Sequence, residues 1–309
     1  MTLTIEQLAQ RTTYIGASDA AAVLGISRYK TPIQLWGEKT GIVPAEDISD
    51  KLPVKFGNFC EQFVAELFEE KMGVKLHRVK KTIHHKDHAF IACNLDRRIV
   101  GRKVIVECKT ANQFKSKDYS EENSIPQEYV AQVLHQLACC PDMEYGYLAV
   151  LIGNTDFVVR RIERDSDLIE KMIAREVEFW NTFVVPKVMP TKVMASDGDV
   201  LAKVFPESGD QSALPLTDEA NRLCESLDAL KLDKDAIETV IDTEKNLLKV
   251  LLGENSVGLS DKYKVTWKTQ ETTRIDSKKL KAECPEVFEK YSNTTETRVL
   301  RTALLSAKK

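Results

Sequence analysis

One short stretch constrains the fold more than any other. Val104-Ile-Val-Glu-Cys-Lys109 is an apolar run that turns charged at its end, and Gly101 separates it from a run over 89–100 that contains Asn94-Leu-Asp96. These read as strands over 89–100 and 103–109 joined by a tight turn at Gly101. Alternate side chains of a strand share a face. Glu107 and Lys109 therefore point with Ile105, while Val104, Val106 and Cys108 face another layer. A hairpin of this kind brings Asp96 beside Glu107. Two carboxylates that converge can hold a hard divalent cation through oxygen. An amine at Lys109 is within reach to orient a water and to offset charge developing on a phosphate. A surface hairpin carrying a salt bridge would also satisfy the pattern. Glu-x-Lys alone carries no weight, since Glu69-Glu-Lys71 has the same spacing within a helical pattern, where such residues do not share a face.

The flanking sequence supplies layers for that hairpin. Ser18 is placed to cap a short helix, Asp19 to Leu24, stopped by Gly25. Thr31-Pro-Ile-Gln34 has the form of a capping box with Pro at the first helical position, opening a helix that ends near Gly41. Gly57 precedes a helix carrying Glu61, Val64, Leu67, Phe68 and Met72 at helical spacing. Pro126 opens a helix through Cys140, strands follow over 144–152 and 156–163, and a helix runs from Asp165 to Phe183. Residues 1–190 thus predict an α/β core with a mixed sheet flanked by helices. A linker over 191–215 is marked by Gly198, Pro206, Gly209 and Pro215. In the extension over 216–309, Leu223, Leu227, Leu230, Lys234, Ile237, Ile241, Glu244, Leu248 and Leu251 fall in alternating four–three spacing. That is the seam of a coiled-coil-like helix or helical hairpin. Strands near 263–269 and 296–302 and short helices around 277–291 complete the extension.

Several classes are disfavoured. The chain has no apolar run near the ~20 residues that span a bilayer, and its start, MTLTIEQLAQRTTYIG, lacks the basic and apolar regions of a signal peptide. A cytoplasmic protein without a membrane partner is expected. Seven cysteines without a C-x-x-C pair predict reduced, mostly buried thiols, not a zinc or iron–sulfur site. No G-x-S-x-G motif, Walker loop or dinucleotide fingerprint is present. His84-His-Lys-Asp-His88 reads as a turn, not a metal site. The net charge of −3 hides a local band: Lys75 to Lys103 holds nine Lys and Arg against Asp87 and Asp96. A basic band beside carboxylates suits a polyanionic substrate and its metal, although a solvated face has the same composition.

Three further groups carry chemistry only in context. Glu61, one turn into its helix, could be a third metal ligand or an ordinary acid near a helix N-terminus. Tyr129, Gln132 and Gln136 form one polar stripe at i, i+3 and i+7, directed at the metal centre or at solvent. Arg11, Ser18 and the opening of the 19–24 helix could bind a phosphate, extended by Arg28 and Lys30, or could simply cap.

The order of these blocks narrows the choice. Arg11 to Gly25 (RTTYIGASDAAAVLG), Gly57 to Glu61 (GNFCE), Asn94-Leu-Asp96, Glu107-Cys-Lys109 and Tyr129 to Gln136 (YVAQVLHQ) together resemble the YqaJ-like viral recombinase family, which includes lambda exonuclease and has the PD-(D/E)xK nuclease fold. The resemblance covers residues 10–190. It implies a phage-type alkaline exonuclease that digests linear double-stranded DNA 5′ to 3′ and leaves 3′ single strands for a single-strand annealing protein. Asp96 and Glu107, with the Cys108 carbonyl and Glu61, would bind Mg2+, with Mn2+ able to substitute. Lys109 would assist the water and Gln132 would belong to the catalytic set. Arg11 and Ser18 would hold the 5′-phosphate, with Arg28, Tyr129 and Gln136 as further DNA contacts. A ring-shaped homo-oligomer such as a trimer is also implied. A structure-selective endonuclease of the same fold and a non-catalytic DNA-binding recombination scaffold are the alternatives. One departure is local: the family often has Asp-Gly where this chain has Asp96-Arg97.

Overall fold

The computed structural model describes residues 11–45, 47–119, 121, 124–209 and 213–305. They form two compact units, Met1–Pro206 and Glu207–Lys309.

The first unit opens with a 3-10 turn, Arg11–Thr13, and strand β1 (Ile15–Gly16). Helix α1 (Ala20–Val23) is capped at Asp19, one residue beyond the expected Ser18. The Asp19 carboxylate accepts from the Gly16 amide at 3.1 Å, so it holds the preceding turn, not the helix start. Helix α2 (Pro32–Thr40) begins at the expected capping box, in which Thr31 and Gln34 satisfy each other's amides, and it stops at left-handed Gly41. Helix α3 (Leu52–Met72) starts five residues before Gly57, with Pro53 in its first turn, and not after the glycine as expected.

Next come β2 (Leu76–Arg78), β3 (Ile83–His84), β4 (Ile91–Cys93), β5 (Arg97–Ile99) and β6 (Val104–Ala111). After a 3-10 stretch, Gln113–Tyr119, the chain forms α4 (Gln127–Cys139), β7 (Tyr145–Ile152), β8 (Asp156–Glu163) and α5 (Ser166–Phe179). A π turn, Trp180–Val184, a 3-10 turn, Ala195–Asp197, and α6 (Gly198–Val204) finish the unit.

The main sheet has the order β2-β5-β6-β7-β8, parallel only between β6 and β7. A second sheet has the order β1-β4-β3. The single strand expected over 89–100 is therefore two strands in two sheets. Ile91, Ala92, Cys93 and Leu95 are all buried, so this segment is enclosed on both sides and cannot continue as a one-faced hairpin strand. Asp96 sits at the crossing between the sheets.

Alternation on β6 divides the core. Val104, Val106 and Cys108 pack with Val64, Ala65 and Phe68 of α3. Ile105 packs with Leu148 and Val150 of β7 and with Val133, Leu134 and Leu137 of α4. Gly146 is what lets α4 lie so close: a Cβ there would stand 2.5 Å from Val133 Cγ1. Residues 191–206, expected as linker, belong to the core. Val200 is buried with Ile33, Leu35 and Trp36. Buried Asp197 accepts from the Thr31 hydroxyl and from the Met194 amide, the latter at 2.6 Å. Gly198 begins a helix instead of loosening the chain, and the unit ends at Pro206, not at 190.

The second unit holds α7 (Asp218–Leu252), a single continuous helix and not a hairpin. It is followed by the antiparallel pair β9 (Val257–Leu259) and β10 (Lys264–Thr266), then α8 (Ser277–Glu283) and α9 (Pro285–Tyr291). The strand expected near 263–269 is confined to β10, and residues 296–302 form no strand. Among the described residues, no helix is long and apolar enough to cross a membrane.

Candidate active site

A cleft of about 450 Å³ opens at the end of β6. Its lining includes Glu61, Asp96, Glu107, Cys108, Lys109, Tyr129 and Gln132, together with Ser18. Five of the sequence blocks thus meet in one place.

Glu107 is buried and fully engaged. Its Oε1 accepts from Gln132 Nε2 at 2.5 Å and from Lys109 Nζ at 2.7 Å, and its Oε2 accepts from Gln136 Nε2 at 2.6 Å. Three donors from two elements therefore fix one carboxylate. Asp96 Oδ2 accepts from the Cys108 amide at 3.0 Å. The N–H and C=O of one strand residue leave the same edge, so the Cys108 carbonyl points towards Asp96 as well. Burial, and next the charge of Glu107, push the Asp96 carboxyl up to about 7. Burial works against the charge on Lys109 too, but Glu107 and Asp96 outweigh it and raise its pKa. The Lys109 ammonium also lies 5.5 Å from the centre of the Tyr129 ring.

Two carboxylates and a carbonyl form an all-oxygen donor set that fits a hard divalent cation. Glu61 lines the same cleft, with one carboxylate oxygen taken by an arginine. Its Oε1 accepts from Arg97 Nη1 at 2.6 Å, with both side chains buried. Among the described residues, no three His, Cys, Asp or Glu side chains stand together as a ready metal cage.

Arg97 also explains the Asp96-Arg97 departure. Its guanidinium folds back onto Glu61, onto Gln62 at 3.0 Å and onto the Asp96 carbonyl at 2.8 Å, bracing the turn that presents Asp96. Arg97 is thus lost from the basic band. Lys75, Arg98 and Lys86 of that band pair with Glu69 at 2.9 Å, Asp142 at 3.2 Å and Asp87 at 3.7 Å.

The expected DNA contacts divide. Arg11 Nη2 donates to Ser18 Oγ at 3.0 Å beside the cleft, and lies 3.8 Å from Asp19, which Lys39 holds at 2.7 Å. Arg28 is turned to Asp118 at 2.6 Å and Glu128 at 3.3 Å. Gln136 is 1% exposed and stands behind Glu107, so it supports the carboxylate and is not a DNA contact. Sequence reading missed His135, which is fully buried with Nδ1 2.9 Å from Glu176 Oε1 and Nε2 3.0 Å from the Ala92 carbonyl. It also missed the Arg97–Glu61 pair, for which the arginine directly after Asp96 was the available signal.

The position of Gln136 leads to a first expectation. Gln136→Leu should lower turnover on DNA about 10–100-fold, the usual effect of losing a group that orients a metal ligand, with KM for DNA unchanged. A rise in KM without loss of kcat would return Gln136 to the substrate surface. The Asp96 shift leads to a second, for protein without divalent cations. Folding raises this carboxyl from 3.8 to about 7, so the folded chain binds the extra proton between those values. Stability then falls as pH rises through that window, and the penalty is full above it. Asp96→Asn should raise Tm at pH 8 in EDTA by roughly 2–4 °C, equivalent to about 1 kcal/mol in a domain of this size. At pH 4 the gain should vanish, and an equal gain at both pH values would contradict the assignment.

The mixed sheet between helical layers, with an acid at the crossing and Glu-x-Lys at the end of the next strand, defines a protein of the PD-(D/E)xK nuclease fold. The fold is similar to that of the alkaline exonuclease LHK-Exo from Laribacter hongkongensis, of which two structures match, one of them in complex with dAMP. In both comparisons the TM-score is 0.50 at 18% identity, covering 60% of this chain and 94% of that one. Residues 6–143 match the YqaJ-like viral recombinase domain. The protein YqaJ of Bacillus subtilis (strain 168), itself uncharacterized, is 38% identical over 302 residues, which is 95% of this chain and 92% of the relative. The chain belongs to the YqaJ-like viral recombinase family.

Proposed function

We propose that this protein is a Mg2+-dependent deoxyribonuclease that digests linear double-stranded DNA from 5′-phosphorylated ends. The observation that carries the reading is Glu107, held by Gln132, Gln136 and Lys109 in the cleft that Asp96 also lines. Asp96, Glu107 and the Cys108 carbonyl would hold the cation, whose charge lowers the pKa of a bound water and draws electrons from the scissile phosphate.

The protein's own groups do the positioning. Gln132 and Gln136 keep Glu107 in one orientation without adding charge. Lys109 holds an ammonium at the cleft, where it can orient the attacking water and offset charge on the phosphate. Water adds to phosphorus as the bond to the leaving 3′-oxygen breaks, and the terminal nucleotide departs as a 5′-monophosphate. The dAMP bound by the Laribacter exonuclease is a molecule of that type. Arg11 and Ser18 supply a cation and a hydroxyl for the 5′-phosphate. Mn2+ should substitute for Mg2+, since both accept octahedral oxygen ligands. A ring-shaped homo-oligomer around the duplex would give processivity with little net basic charge. The 3′ single strands would then pass to an annealing protein in the cytoplasm.

End-labelled linear duplex, with and without Mg2+ and a 5′-phosphate, tests the reading. The expected result is release of mononucleotides only with the metal, faster from the phosphorylated 5′ end, and no cutting of a closed circle. Cutting of the circle would establish an endonuclease instead. No cleavage under any of these conditions would leave a DNA-binding scaffold.

A further inference from the structure

From the second unit we infer that α7 pairs with α7 of a second copy of this chain as an antiparallel coiled coil, in a register set by Lys234 and Glu244. The inference does not depend on the nuclease reading.

The helix is 35 residues long and carries an open apolar seam. Leu230, Ile237 and Leu251 are 61%, 60% and 83% exposed, and Leu223, Leu227, Ile241 and Leu248 are exposed as well. Water-exposed Leu and Ile at seven of nine positions in four–three spacing indicate a helix partner. Charge decides which one. Leu227, Lys234, Ile241 and Leu248 occupy one position of the repeat, and Leu223, Leu230, Ile237, Glu244 and Leu251 the other. In a parallel pair each position faces itself. Lys234 would then meet Lys234 and Glu244 would meet Glu244, two like-charge contacts in one seam. In an antiparallel pair each position faces the other.

Placing Lys234 opposite Glu244 leaves no further freedom of register. That register sets Leu227 opposite Leu251, Leu230 opposite Leu248 and Ile237 opposite Ile241, each pair occurring twice about a two-fold axis at Thr239. Every apolar residue between 227 and 251 in the seam thus meets an apolar residue, and each of the two seam charges meets its opposite. Val240, 60% exposed, flanks the axis and adds to the apolar contact. Some charges along the helix are paired within it. Lys231 pairs with Asp228 and Lys245 with Asp242, both at 3.0 Å, and Glu238 lies 3.3 Å from Lys234. A two-fold contact of this kind closes on itself and doubles whatever assembly the cores form.

Charge reversal in the full-length protein tests it, read by sedimentation. Lys234→Glu alone and Glu244→Lys alone each create like-charge contacts and should weaken self-association about tenfold or more. The double variant Lys234→Glu/Glu244→Lys restores opposite charges and should return to within about threefold of the original. Mixing the two single variants should also restore pairing, because each supplies the charge the other lacks. Helicity by circular dichroism should be equal in all of them, since Lys and Glu are both good helix formers. Spin labels give the direction, on Thr239→Cys or Asn246→Cys in a Cys224→Ser/Cys284→Ser background. Two labels at 246 should lie about 21 Å further apart along the axis than two at 239. Equal separations would mean a parallel pair and overturn the proposal. So would a mass that is the same for the original and every variant, or a double variant no better than the singles.

Discussion

Lys109→Met should lower the rate of duplex digestion about 10²–10⁴-fold while leaving the fold and DNA affinity nearly intact. The ammonium is 2.7 Å from Glu107 and shares the cleft with Asp96. Its removal leaves both carboxylates and their supporting glutamines in place, so the proposed metal donors persist. What disappears is an ammonium at the cleft, placed to face both the water and the phosphate of the proposed reaction. Single-turnover rates on a labelled linear duplex at saturating Mg2+ measure the effect. Arg is a poor substitute, since a planar guanidinium cannot act as a compact point charge in that space. A Lys109→Met enzyme within tenfold of the original would remove Lys109 from the chemistry and favour the scaffold reading.

His135→Phe should cost about 3–5 kcal/mol, the usual loss when one partner of a buried ion pair is removed. Both ring nitrogens of His135 face acceptors, the Glu176 carboxylate and the Ala92 carbonyl. To donate to both, the ring must be an imidazolium. Burial lowers its pKa, but the charge of Glu176 together with hydrogen bonds to Cys139 and Glu176 raises it well above the usual histidine value. The sign follows. The pair's stabilisation is fully present below pH ~6.5, the unfolded value, and is lost as pH rises through the higher folded value. Phe at 135 strands the buried Glu176 charge without its ion-pair partner. The double variant His135→Phe/Glu176→Leu removes that charge and should regain most of the loss. Urea denaturation of the three proteins at pH 7 measures both steps. Equal stability of the single and double variants would show that the pair is not an ion pair. His135 precedes Gln136 on α4 and ties that helix to β4 and α5, so the single variant should also disturb the groups that hold Glu107.

Local signals were legible where a residue's role depends on its neighbours in sequence. The Thr31 capping box, the alternation of Val104 to Lys109 and the polar stripe of α4 each need only short spacing, and each appears as read. The break at 94–96 was hidden because burial on both sides of Ile91 to Cys93 removes the alternation that marks a one-faced strand. Partnerships between distant residues are not carried by short spacing either. Thr31 and Asp197 meet across the unit, as do Glu61 and Arg97, and His135 and Glu176. Glu61 was read as a ligand because its block matches the family. The arginine that claims it is a feature of this chain's own turn.

The near-contact of α4 and β7 has a consequence for how the cleft is kept in adjustment. Gln132 and Gln136 reach Glu107 only because nothing larger than hydrogen occupies position 146, in the strand beneath them. One added methyl there would act as a shim. It would lift the helix by tenths of an ångström and slacken both amide holds on Glu107 together, from a buried position outside the cleft lining. The tolerance of the cleft is thus gauged by the thinnest spot in its foundation.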